Sequence, residues 1–156
     1  MNRHLASALS LALATGSLWL SGCASVPEGT TRQVERATRF TPPPDHALLY
    51  VYREFNFHQM TVVTELSLDG RRFGSIAPKT YLCAAVKPGS HALEAQSFFG
   101  DAPQKFSAEA GQLYFFRVAA KPEEWKLDPV SEPEAREQIA EFTLSGDNAY
   151  EAGRRE

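Results

Sequence analysis

The sequence predicts a mainly β protein: an antiparallel β-sandwich of about seven to eight short strands with one C-terminal α-helix. Three observations point there. From residue 46 onward, short runs rich in β-branched and aromatic residues are separated by turn residues at spacings of roughly eight to twelve. Pro78, Pro88, Pro103, Pro122 and Pro129 all fall between those runs, where a residue without an N–H leaves the ladders intact. A later stretch opening at Ser131 carries helix-start signals.

The chain has 156 residues, which suits one domain with a modest core once its leader is set aside. With 43% hydrophobic residues, including 10 Phe, 5 Tyr and 2 Trp, it carries enough apolar surface to fold. Its 16 Lys and Arg stand against 19 Asp and Glu, a formal net charge of −3. That balance argues against nucleic acid as a partner, because phosphate binding needs clustered cations.

Residues 1–22 read as a secretory signal, with Arg3 near the start and the apolar run LASALSLALATGSLWL over 5–20. As a helix that run spans roughly 24 Å, short of the roughly 30 Å of hydrocarbon a retained span must cross. It ends in Leu20-Ser21-Gly22-Cys23, which resembles the lipobox of bacterial lipoproteins. Small residues let the backbone enter a protease cleft, and a thiol can be alkylated by a lipid donor. The resemblance implies a cut before Cys23 and a diacylglyceryl group and N-acyl chain on that cysteine, with no other cofactor. One acyl chain holds a protein marginally, at about 10⁴ M⁻¹, and further chains anchor it stably. Ala24 after the cysteine implies, by the same resemblance, the outer membrane facing the periplasm in a double-membraned bacterium, and otherwise the cell membrane. The alternative is an ordinary secreted protein with a chance cysteine near its cut.

Residues 23–45 are expected to be the anchor and a tether. The stretch 24–44 is polar, lacks an apolar period and closes with three prolines that favour a stiff extended helix. As a coil it would span roughly 25 Å. The body then covers 46–144, with strands near 46–53, 60–68, 72–77, 80–87, 91–98, 104–110, 112–119 and 124–128. In the second, Met60, Val62, Leu66 and Leu68 alternate with Thr61, Glu65, Ser67 and Asp69, so one face is buried. Asp69-Gly70 fits a tight hairpin turn, Pro88-Gly89 a type II turn, and Gly111 a similar bend before Leu113. The first and seventh strands, ALLYVY and LYFFRV, are apolar on both parities, which places them mid-sheet under cover on both faces. The helix starts at a Ser131 cap with Glu134 completing a capping box, tolerates Pro133 in its first turn, and turns Ile139 and Phe142 to the sheet. The polar tail 145–156 is expected to fray.

The order ALLYVYR (47–53), LDGRRFG (68–74), AP-x-TYL (77–82), V-x-PGSH-x-L (86–93) and AEAGQLYFFR (108–117) resembles the domain of unknown function 2846, found in bacterial lipoproteins. The resemblance runs from about residue 47 to the helix near Phe142 and takes in the leader and lipobox. It implies a β-rich envelope domain and lends no activity, substrate or catalytic residue. The Pro-Gly-x-His turn is similar to that of small sandwich modules of the PEGA and carboxypeptidase-regulatory kind, which adhere, space or bind without catalysis; fold alone does not fix function.

No catalytic motif is visible: no G-x-S-x-G, no H-E-x-x-H and no phosphate-cradling glycine loop. His46, His58 and His91 lie on separate segments without paired spacing, so no metal is expected. Cys83, mid-strand in TYLCAAV, reads as a buried inert thiol. Glu123 and Glu124 adjoin each other, and chain neighbours point apart, so they read as solvated charge. The aromatic loops hold the binding candidates: Phe55, Phe57 and His58 in one, Phe98 and Phe99 in the other, able to stack on a glycan or seat a partner, or to plug the sandwich ends. Arg53 and Arg117, each after an aromatic strand, are candidate polar contacts for a substrate carboxylate or an internal acid such as Glu109, with pairing at a strand end the simpler role. The sequence therefore points to a non-enzymatic interaction or structural module of the envelope, held by the membrane and meeting an envelope protein. The alternatives are a binder of a small ligand or glycan and a hydrolase built from distant residues.

Overall fold

The structure, a computed structural model, describes residues 25–97, 100–121 and 124–152. The leader, the Leu20-Ser21-Gly22-Cys23 motif, Phe98, Phe99 and Glu123 lie outside them. In chain order come α1 (Thr31–Thr38), β1 (Ala47–Arg53), β2 (Thr64–Leu68), β3 (Arg71–Ile76), β4 (Thr80–Val86), β5 (Gly89–Ser97), β6 (Gly100–Ala108), β7 (Leu113–Lys121), β8 (Glu124–Pro129), α2 (Glu132–Glu141), β9 (Thr143–Leu144) and α3 (Ala149–Ala152). The strands form a five-stranded sheet, β8-β7-β1-β4-β9, and a four-stranded sheet, β3-β2-β5-β6.

The expected sandwich is thus present, and its sheets face each other across Leu49, Val51, Leu66, Phe73, Leu82 and Phe116. β1 is buried along its whole length in the middle of the larger sheet, as its two-parity pattern requires. Its odd residues enter the inter-sheet core. Leu48, Tyr50 and Tyr52 enter a second apolar layer with Tyr81, Ala135 and Ile139, which α2 covers. Not every pair is antiparallel: β1 pairs β7, and β4 pairs β9, in parallel.

Turn chemistry falls where expected. Asp69 and Gly70 have φ of 54° and 71°, the pair of positive angles of a primed hairpin turn between β2 and β3. The Pro88-Gly89 turn passes the chain from one sheet to the other, since β4 and β5 lie in different sheets.

Five expectations are corrected. Two prolines expected between strands lie within them, Pro103 inside β6 opposite Glu94 and Pro129 at the end of β8 opposite Phe116; both strands are sheet edges, where a missing N–H is tolerated. The second strand starts at Thr64, not 60, because Phe57–Gln59 form a 3₁₀ turn and Met60 is exposed. Ser131 caps α2 without a side-chain hydrogen bond, so the expected box with Glu134 is absent. The stretch read as a tether folds onto the body: Thr30 and Gln33 form a reciprocal capping box for α1, and Ala37 is buried. The Tyr50 hydroxyl donates to the Ala37 carbonyl at 2.7 Å. The tail expected to fray instead straps β3, β4 and the N-terminal segment together. Glu28 bridges Ser145, Gly74 bridges Asn148, and Tyr150 meets Phe73 edge-on.

Candidate functional site

Two features of the surface can receive something: a hydrophobic loop at one end of the sandwich and a groove under α1. β1 reaches that end at Arg53, β4 starts from it at Thr80, and β7 and β8 meet at it between Lys121 and Glu124. In the other sheet β2 starts there at Thr64, and the β5–β6 ladder closes there at Ser97 and Gly100. Loop 54–63 and the strands flanking positions 98–99 therefore share one end of the molecule.

Arg53 explains the shape of the loop. It is fully buried, and its guanidinium donates to the carbonyls of Val62 and of Gln59 (2.8 Å) and to Thr64 Oγ1 (3.1 Å). It also lies 4.8 Å from the centre of the Trp125 ring, a contact that favours a desolvated cation. Burial pushes its pKa down to about 10, which still leaves it charged at neutral pH. Arg53 is thus an internal clamp on loop backbone and does not reach solvent to meet a substrate carboxylate. Outside the clamp, Asn56 accepts from the His58 N–H at 3.0 Å, and Phe57 meets the His58 ring edge-on. The apolar side chains are left outside: Phe55 is 51% exposed, Phe57 72%, Met60 38% and Val63 39%.

Arg117 lies on the helix-covered face of β7. It pairs with Glu134 of α2 at 3.2 Å, Glu54 of the loop at 3.4 Å and Asp128 of β8 at 3.9 Å, not with Glu109. Partial burial opposes its charge, and Glu54, Tyr52 and Glu134 together overcome this and hold its pKa above the ordinary value. Arg117 therefore ties three elements together. His91 is fixed by Asp69 and by the Lys87 carbonyl, each at 2.7 Å. Among the described residues, no group of three or more His, Cys, Asp or Glu side chains is placed to hold a metal.

The groove has a volume of about 510 Å³ and opens between α1 and the outer face of the five-stranded sheet. Its floor is Leu48, Cys83 and Ala85, and its far wall is Leu144, Ser145 and Asn148. Arg36 and Arg39 line it from the helix side. Cys83 is buried as expected. None of the other lining residues was a sequence candidate. The signal that could have found the helix was Thr30-x-x-Gln33, a capping-box pattern lying in a stretch otherwise too polar to show a core face.

The model of the family described as "Protein of unknown function (DUF2846)" matches residues 43–128. That span holds β1 to β7, all of β8 but its last residue, and loop 54–63, and contains none of the three α-helices. An "Uncharacterized protein" of Haemophilus influenzae is 28% identical over 134 residues, 83% of this chain and 79% of that one.

Proposed function

We propose that this chain, which belongs to the DUF2846 family, is a lipid-anchored, non-catalytic module of the bacterial envelope that docks a partner protein on loop 54–63. One observation carries the docking surface. The large hydrophobics exposed among the described residues are Val34, Phe55, Phe57, Met60 and Val63, and four of them share this loop. Scattered apolar residues need no explanation, whereas a cluster marks a contact. The Arg53 clamp holds the loop backbone from below, so the patch is organised before it meets anything, which lowers the ordering cost of binding. The anchor rests on the Leu20-Ser21-Gly22-Cys23 motif and the leader before it.

A photo-crosslinking residue placed at position 57 in intact cells should give a discrete protein adduct. The same residue at the exposed helix position 137 should not, and Phe55→Ser should remove the adduct at 57. Equal labelling at 57 and 137 would overturn the docking surface, and a glycan adduct at 57 would replace the protein partner with a stacking site. For the anchor, Cys23→Ser should abolish lipid labelling and the cut before residue 23; normal processing of that variant would refute it.

A further inference from the structure

We propose that the groove under α1 is a binding site for an amphiphilic anion, a single acyl chain bearing a negatively charged head. The inference goes beyond the docking loop, which lies on another part of the surface and uses none of the same residues.

The chemistry of the lining selects the ligand. No Asp or Glu lines the groove, while Arg36 and Arg39 do, and among the described residues neither has an ion-pair partner. Arg72, Arg117 and Arg136, by contrast, all meet carboxylates. Two guanidiniums three positions apart on one helix edge suit a single carboxylate or phosphate between them. The floor of Leu48, Cys83 and Ala85 is apolar and built of small or aliphatic side chains, and no aromatic ring lines the groove, so a flat aromatic ligand would find no π-face to stack on. Polar groups of the wall are engaged within the protein. The Ser145 hydroxyl donates to the Ser75 carbonyl at 2.8 Å, the Asn148 amide to the Cys83 carbonyl at 2.8 Å, and the Thr41 hydroxyl to the Arg39 carbonyl at 3.1 Å. Beyond those two guanidiniums a sugar would find few free donors over the apolar floor, whereas a saturated chain asks for none. A volume of about 510 Å³ lies within the roughly 300–1,000 Å³ typical of small-molecule sites.

The test uses the full chain in phosphatidylcholine vesicles, irradiated with diazirine-bearing palmitate in one arm and diazirine-bearing lysophosphatidylglycerol, which also has one acyl chain, in the other, with adducts mapped by mass spectrometry. Adducts within 33–41 and 83–85 from either probe support the site, and the probe that labels identifies a free fatty acid or a lipid headgroup as the source. Arg36→Glu with Arg39→Glu should cut labelling at least about tenfold, while Arg36→Lys with Arg39→Lys should keep it within about threefold. Diazirine-bearing hexadecanol, with no charge, should label about tenfold less than the palmitate. Equal labelling of the wild-type and charge-reversed chains, equal labelling by the alcohol, no labelling from either probe, or adducts gathered on loop 54–63 would each overturn the proposal.

Discussion

At the scale of single residues, Arg53 and Asp147 show how differently burial treats charge. Arg53 is enclosed with neutral acceptors and a Trp125 face, so its removal leaves two buried acceptors, a third partly buried one and a void. Arg53→Ala should lower unfolding stability by about 3 kcal/mol in urea. Arg53→Lys should recover only part, because an ammonium lacks the planar fork that spans Gln59, Val62 and Thr64. Asp147 is partly buried, and the Arg72 guanidinium at 2.6 Å holds its carboxyl below the ordinary carboxylate range. A depressed folded pKa gives stability that is complete above the unfolded value of about 3.9 and is lost as pH falls through the folded one. Asp147→Asn should therefore flatten the acid limb of the stability curve below pH 4, and cost no more than about 1 kcal/mol at pH 7 because Arg72 is well solvated. The sequence marked Arg53 and Arg117 as polar residues at strand ends, and a structural role was the reading it favoured. It could not show that one is enclosed and the other networked, since Gln59, Thr64 and Trp125, and Glu54 and Glu134, reach them only through the fold.

At the scale of elements, the capping box the sequence predicts is absent, and one it does not predict is present. Ser131 opens α2 as expected but gives no side-chain bond, while Thr30 and Gln33, in a stretch read as tether, form the full box. The strands were legible because alternation and turn residues are local: β1, β4 and β7 carry their burial in their own sequence, and Asp69-Gly70 carries its turn. α1 was not, because a helix that buries little beyond Ala37 has no stripe to read. Thr30→Ala should cost about 1 kcal/mol, measured as a shift in the urea midpoint of the whole protein at unchanged slope. A shift confined to helix signal, with the global midpoint fixed, would make α1 an independent appendage.

At the scale of the whole molecule, ordering of the N-terminal segment bears on the proposed anchor. With Pro27 and Gly29 hydrogen-bonded to Gly146 and Leu144, a lipid on Cys23 would be separated from the body by residues 24–26, about 10 Å of extended chain. With the proposed anchor in place, that would replace the roughly 25 Å coil expected for a free tether and bring the body up to the membrane surface. Trypsin should cut the vesicle-bound chain at Arg32, Arg36 and Arg39 much more slowly than it cuts the same chain in urea; equal rates would restore the free tether. What the sequence by itself determined was the run of strands, the hairpin turn, the C-terminal helix and the central position of β1 and β7, all of which follow from periodicity and φ preference over a few residues. Only the tertiary structure decided that α1 closes over the outer face, that the tail straps β3 to β4, that Arg53 turns inward, and that a groove opens beside Arg36 and Arg39. Each of those depends on surfaces brought together from distant parts of the chain, where a polar segment is ordered by the backbone partners it finds and not by an apolar pattern of its own.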